Sequence, residues 1–255
     1  MKELANRIVE SNFVWLNTNM REIDTVLGVK TTPHDVVAVT HNGTTKKVAL
    51  LGLLTEDPSV YRPGSFGGAT IEPVIESCER YLQESLDPSS VDLIIPLTHQ
   101  RMPRDRAFSE KFGSLFPVNI AGHDHEPFDE VCNGSRIVKV GIDAENTAII
   151  DICWSLSDQS QSPAIQVEMV PTTTFEANPA ITERVRCHRR ILEELEKAKL
   201  FRFDEWLPKH SSVDGVLFST EDNRLGPSNG TTILCSILRM GMRCQCALIT
   251  FPHVS

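Results

Sequence analysis

No apolar run in the 255 residues approaches the ~20 residues that a membrane-spanning helix needs. The opening Met1-Lys2-Glu3-Leu4-Ala5-Asn6 lacks the basic start and apolar core of a signal peptide. There is no excess of positive charge: the net charge is −9, the wrong sign for wrapping a phosphate backbone, so no nucleic-acid partner is expected. Metal-knuckle cysteine spacing is absent too. The seven cysteines include one close pair, Cys244 and Cys246, best explained as small buried apolar residues. Their odd number and scatter favour a reducing compartment. Repeats and low-complexity tracts are missing. What remains, 40% hydrophobic and 23% charged residues, is the balance of a soluble globular chain long enough for a real core.

The pattern of short apolar stretches predicts an α/β fold. Strands are expected over 12–20, 35–40 and 47–54, the last two joined at the Asn42-Gly43 turn signal into a hairpin. A loop over 55–69 carries Gly64-Ser65-Phe66-Gly67-Gly68. Without the Gly-Lys-Ser/Thr ending of a phosphate loop, it reads as a flexible surface turn. A helix is expected over 70–86 with Pro73 in its first turn and Val74, Cys78, Tyr81 and Leu82 on one face. Val91 to Leu97 is a continuous apolar run, the mark of a doubly covered strand, with pairing expected to stop at Pro96. A short helix over 103–112 and a strand over 117–121 follow. The stretches 136–140, 146–154 and 164–170 read as an antiparallel set. Asn178-Pro179 opens a long helix, Asn178 as cap, whose Arg184, Arg186, Arg189 and Arg190 around His188 form a solvated face. A strand near 213–219, a helix near 231–240 and a strand near 246–251 complete the reading. His34 and His41, flanking the hairpin, are expected to be exposed.

Two segments stand out chemically. Leu97-Thr98-His99 and Ala121-Gly122-His123-Asp124-His125 each end a buried strand, and one helical crossover joins those strands. Ligands gather beyond the carboxyl ends of strands in open α/β sheets, so three imidazoles are expected to converge there. Imidazole suits zinc, manganese and iron. Gly122 would let the chain turn sharply. Asp124 could orient a ring from behind. Asp105 would orient His99 or cap the short helix, and Arg104 and Arg106 are candidates for contact with an anionic substrate.

Leu97-Thr98-His99, Asp105 and Gly122-His123-Asp124-His125 resemble the last two metal motifs of the calcineurin-like metallophosphoesterases, above all the 5'-nucleotidase family. Asn12 to Asn19 resembles the strand after that family's Gly-Asn-His-Asp/Glu motif, and Asn133 to Lys139 the strand after the last histidines. Phe218-Ser219-Thr220, Arg224 and Pro227-Ser228 resemble the start of its C-terminal domain. The resemblance implies part of a four-layer α/β sandwich over 1–172, a linker helix region over 173–205 and the opening of a smaller α/β domain over 206–255. It implies hydrolysis of a nucleotide or related small phosphoester with two divalent ions such as zinc or manganese, His99 and His123 on one ion and His125 on the other.

The family's Asp-x-His, Gly-Asp-x-x-Asp and Gly-Asn-His-Asp/Glu segments do not occur in the sequence. They supply the bridging aspartate that holds two dications ~3.5–4 Å apart. Three neutral rings cannot replace it, so at most one ion, weakly held, and little or no hydrolysis are expected. A chain cut from a longer protein would explain the pattern. Loss of neighbouring strands would then leave the 91–97 strand with an apolar edge and make the chain prone to aggregate. The alternatives are a non-catalytic remnant serving as a binding or scaffold module, and a related cyclic-nucleotide or nucleotide-sugar phosphodiesterase.

Overall fold

A computed structural model describes residues 2–61, 64–155 and 162–197, with 235, 236 and 239. The chain divides into two compact units between Phe175 and Glu176. In the first, six strands form a sheet in the order β1-β2-β3-β4-β6-β5. They are β1 (His34–His41), β2 (Thr44–Leu54), β3 (Leu93–His99), β4 (Val118–Gly122), β5 (Pro127–Cys132) and β6 (Ser135–Val140). β2, β3, β4 and β6 run parallel, while β1 and β5 are antiparallel edges.

The β1–β2 hairpin turns at Asn42 and Gly43, both at positive φ, as a two-residue turn requires. Helices α3 (Val74–Glu84) and α4 (Met102–Phe112) cross between the parallel strands. They cover one face of the sheet, packing Val74, Cys78 and Phe108 on Ala49, Leu51, Leu53, Ile94 and Phe116. An antiparallel hairpin, β7 (Asn146–Cys153) with β8 (Ala164–Pro171), covers the other. Its Ile150, Ile152, Ile165 and Val167 meet Val48, Leu93, Ile95, Val118 and Val138.

Several expectations change. The 12–20 segment is not a strand; Leu16 and Thr32 form an isolated bridge. Its polar side chains take over the pairing: Asn19 bonds both the N–H and the carbonyl of Leu54, and the Thr18 hydroxyl accepts from the Gly52 N–H. This segment crosses so close to Gly52 that a Cβ there would stand 2.7 Å from that of Leu16. Helix α3 starts later than expected because Pro73 is its N-cap in extended backbone. Pairing also does not stop at Pro96: the β2–β3 ladder runs through it to His99, whereas the β3–β4 ladder begins at Leu97.

β3 is therefore an interior strand, not an apolar edge. The edges are β1, where Val36, Val37 and Val39 face solvent, and β5, where Val131 does. The 136–140 stretch joins the parallel sheet as β6. The extra strand β5 pairs with it through the Asn133-Gly134 turn. His34 is half-buried and bonded to the Tyr81 hydroxyl, while His41 is exposed.

Short helices α1 (Lys2–Glu10) and α2 (Ile23–Leu27) flank an apolar cavity of about 420 Å³ lined by Leu4, Ile8, Trp15 and Met20. In the second unit, α5 (Pro179–Lys197) is capped by Asn178, whose Oδ1 accepts from the N–H groups of Ala180 and Ile181. The expected elements over 213–251 lie outside the described residues, apart from helical backbone at 235, 236 and 239. No helix among the described residues is long and apolar enough to cross a membrane.

Candidate metal centre

The parallel register sets His99 opposite Gly122, so the two histidine-bearing turns leave neighbouring strand ends side by side. The rings of His99 and His123 meet edge to face with centroids 5.3 Å apart. Gly122 makes this possible by its bareness: a Cβ there would stand 3.0 Å from His99 Nδ1. The sharp turn itself falls one residue later, because His123, not Gly122, has the positive φ, 85°. A non-glycine residue in that region costs on the order of 1–3 kcal/mol, and such strain gathers at functional sites.

The structure brings two of the three expected rings together. His125 is exposed, and no ring contact joins it to the pair among the described residues. Burial pushes His99 below the ordinary histidine value; His123 and Lys139 push the same way, against Asp105 and Asp124. Burial likewise lowers His123, opposed by Asp124 and aided by Arg101. Both rings therefore favour the neutral state with a free lone pair, the form that ligates a metal.

Neither carboxylate bonds directly to a histidine ring. Asp105 makes no helix cap and no bond to His99. It is fully buried, and its Oδ1 accepts from the Thr98 hydroxyl at 2.7 Å and the Gln100 amide at 2.9 Å, the residues on either side of His99. Asp124 accepts from the first N–H of α4, that of Met102, at 2.8 Å. It thus holds the positive end of that helix rather than a ring.

The residue overlooked in the sequence is Lys139, which is 1% exposed. Its ammonium donates to the Gln100 carbonyl at 2.7 Å, the Gly122 carbonyl at 2.9 Å and Asp124 Oδ2 at 2.6 Å. Asp105 Oδ2 lies at 2.7 Å. A lysine at an inward position of a strand otherwise lined by Ile137 was the available signal, since lysine is almost never buried without a partner.

Arg104 and Arg106 cannot face one anion together. Two residues apart on a helix, they point about 200° apart. Arg104 pairs with Glu56, beside Thr55, whose N–H donates to the His99 carbonyl. Arg106 makes a bidentate pair with Glu130 on β5 and leaves the site.

The donor set can be tested against the expected ions. Two adjacent neutral imidazoles suit a single divalent cation. A two-metal centre lacks a bridge among the described residues, because the two carboxylates packed beside the pair, Asp105 and Asp124, are both engaged by Lys139. Among the described residues no group of three or more His, Cys, Asp or Glu is arranged to hold a metal.

Comparison with solved structures decides the architecture. A structure assigned as a 5'-nucleotidase from Staphylococcus aureus superposes with a TM-score of 0.67 at 16% identity, over 95% of this chain and 47% of that one. The fold is that of the calcineurin-like phosphoesterases. The calcineurin-like phosphoesterase YfkN from Bacillus subtilis superposes with a TM-score of 0.60 at 18% identity, over 76% of this chain and 67% of that one. The sulfate thiohydrolase SoxB from Thermus thermophilus gives 0.57 at 15%, over 76% and 34%. The chain thus spans about half of the first of these structures and about a third of the last. No family model and no curated protein matches the sequence. The calcineurin-like phosphoesterase fold rests on shape, and in it the histidine pair sits at the carboxyl ends of the two middle parallel strands.

Proposed function

We propose that the chain carries the histidine half of a metal-dependent phosphoester hydrolase site of the 5'-nucleotidase type and binds one divalent ion through His99 and His123. The single observation behind this reading is the contact of those two rings at adjacent strand ends in a calcineurin-like phosphoesterase fold. A divalent ion there would supply Lewis-acid polarisation of a phosphoryl oxygen. This chain's own residues bind and orient: His99 and His123 as ligands, Asp105 steadying the His99 turn through Thr98 and Gln100, Arg104 as a candidate cation for a phosphate. His125 remains a candidate for the second ion of a complete site. The substrate class that follows is a nucleotide or related small phosphoester. The organisation we propose is 1–172 as catalytic-domain portion, 173–205 as linker helix region and 206–255 as start of a smaller domain.

By itself the chain is expected to hydrolyse nothing at a measurable rate, for want of a bridging carboxylate. Titration with Co²⁺, a spectroscopic stand-in for zinc, should show one weak equivalent that His99→Ala and His123→Ala each abolish, with no phosphate release from nucleoside monophosphates. Two equivalents bound, or none, would defeat the reading. Robust phosphate release with Mn²⁺ would defeat the expectation of inactivity.

A further inference from the structure

We infer that Lys139 is the positioning residue of the histidine pair: its buried ammonium, tied to the Gln100 and Gly122 carbonyls and set between Asp105 and Asp124, holds the two turns at the spacing that brings the rings together. The inference rests on the preceding reading only for why the pair matters.

An ammonium has three protons to give. Here they go to Gln100 O, Gly122 O and Asp124 Oδ2. That leaves Asp105 Oδ2 close to the charge but without a hydrogen bond. A lysine present only to neutralise carboxylates would spend its protons on them. This one spends two on main-chain carbonyls, one belonging to the residue after His99 and the other to the residue before His123. It reaches these from β6, which is not adjacent to β3 in the sheet. Lys139 thus ties together, from beneath, turns that ladder pairing joins only up to the His99–Gly122 position. The same ammonium engages both nearby carboxylates, which restricts the site to its imidazoles.

The test uses the full chain and two readouts. The first is the proton–proton NOE between the rings of His99 and His123, which requires no metal. The second is Co²⁺ affinity. In Lys139→Met the NOE should vanish and affinity should fall by about tenfold or more, as when partners behind metal ligands are removed. Leu86→Ala, a core change behind α3, should lower stability but leave both readouts intact. If Lys139→Met does not fold, the combination Lys139→Met, Asp105→Asn and Asp124→Asn removes the buried charges together and is read instead. Retention of the NOE with unchanged Co²⁺ affinity in a folded variant overturns the inference. If the unmodified chain binds no Co²⁺, the metal reading fails alone, and the NOE still decides the role of Lys139.

Discussion

The two faces of the sheet are closed in different ways. On the helix side the packing is aromatic and aliphatic bulk: Phe108 of α4 and Phe116, just ahead of β4, stack with centroids 5.6 Å apart and are each 1% exposed. At the carboxyl end of the strands that core turns polar, in the cluster Thr98, Asp105, Asn119 and Lys139. On the hairpin side, a two-stranded ribbon lies across the sheet, and its own Ile150, Ile152 and Val167 stay half-buried. The contrast teaches where precision is needed. The helix side shapes the histidine turns and is sealed; the hairpin side keeps water off an apolar surface and tolerates slack.

The comparison can be broken by substitution. Phe108→Ala should cost about 3–5 kcal/mol of unfolding free energy, read from urea denaturation. Ile150→Ala on the hairpin should cost about 1–2 kcal/mol, below the usual range for a sealed position. Equal costs would erase the distinction. Gly52→Ala, which pushes a methyl into the Leu16 backbone at 2.9 Å, should cost about 1–3 kcal/mol as an overpacking change.

The smallest effect sharpens the picture at the site. His99 and His123 titrate below their ordinary value in the folded chain, so the unfolded chain binds protons first as pH falls. Their contribution is complete above about pH 6.5, the unfolded value. It is lost as pH drops from there through the depressed folded values. His99→Gln and His123→Gln together should flatten a shallow fall of melting temperature over that window. An unchanged slope would show that the rings are not held neutral.

Much of this architecture was legible because its signals are local. Asn42-Gly43 announced its hairpin, the 91–97 apolar run announced a covered strand, and Asn178-Pro179 announced a helix start that the Asn178 bonds bear out. The α/β class and its phosphoesterase layout followed from strand ends carrying Leu97-Thr98-His99 and Gly122-His123-Asp124-His125. What escaped depends on contacts distant in sequence. β5 was overlooked although Asn133-Gly134 marked its turn, because Pro127, Asp129 and Glu130 dilute its apolar alternation. The 12–20 segment looked like a strand, but Asn17 and Asn19 satisfy main-chain groups with side chains. Asp105 and Asp124 read as ring-orienting groups because their partner, Lys139, lies 34 and 15 residues further on.

The backbone at His123 carries a conflict that substitution can resolve in only one direction. Its left-handed conformation would be most comfortable for a residue without a side chain, yet an imidazole stands there, and on the reading proposed above that imidazole is a ligand. A chain drifting free of selection for ligation would gain by exchanging this histidine for glycine. Keeping it forgoes that relief, so the identity of this residue across divergent copies would record whether the site is still in use.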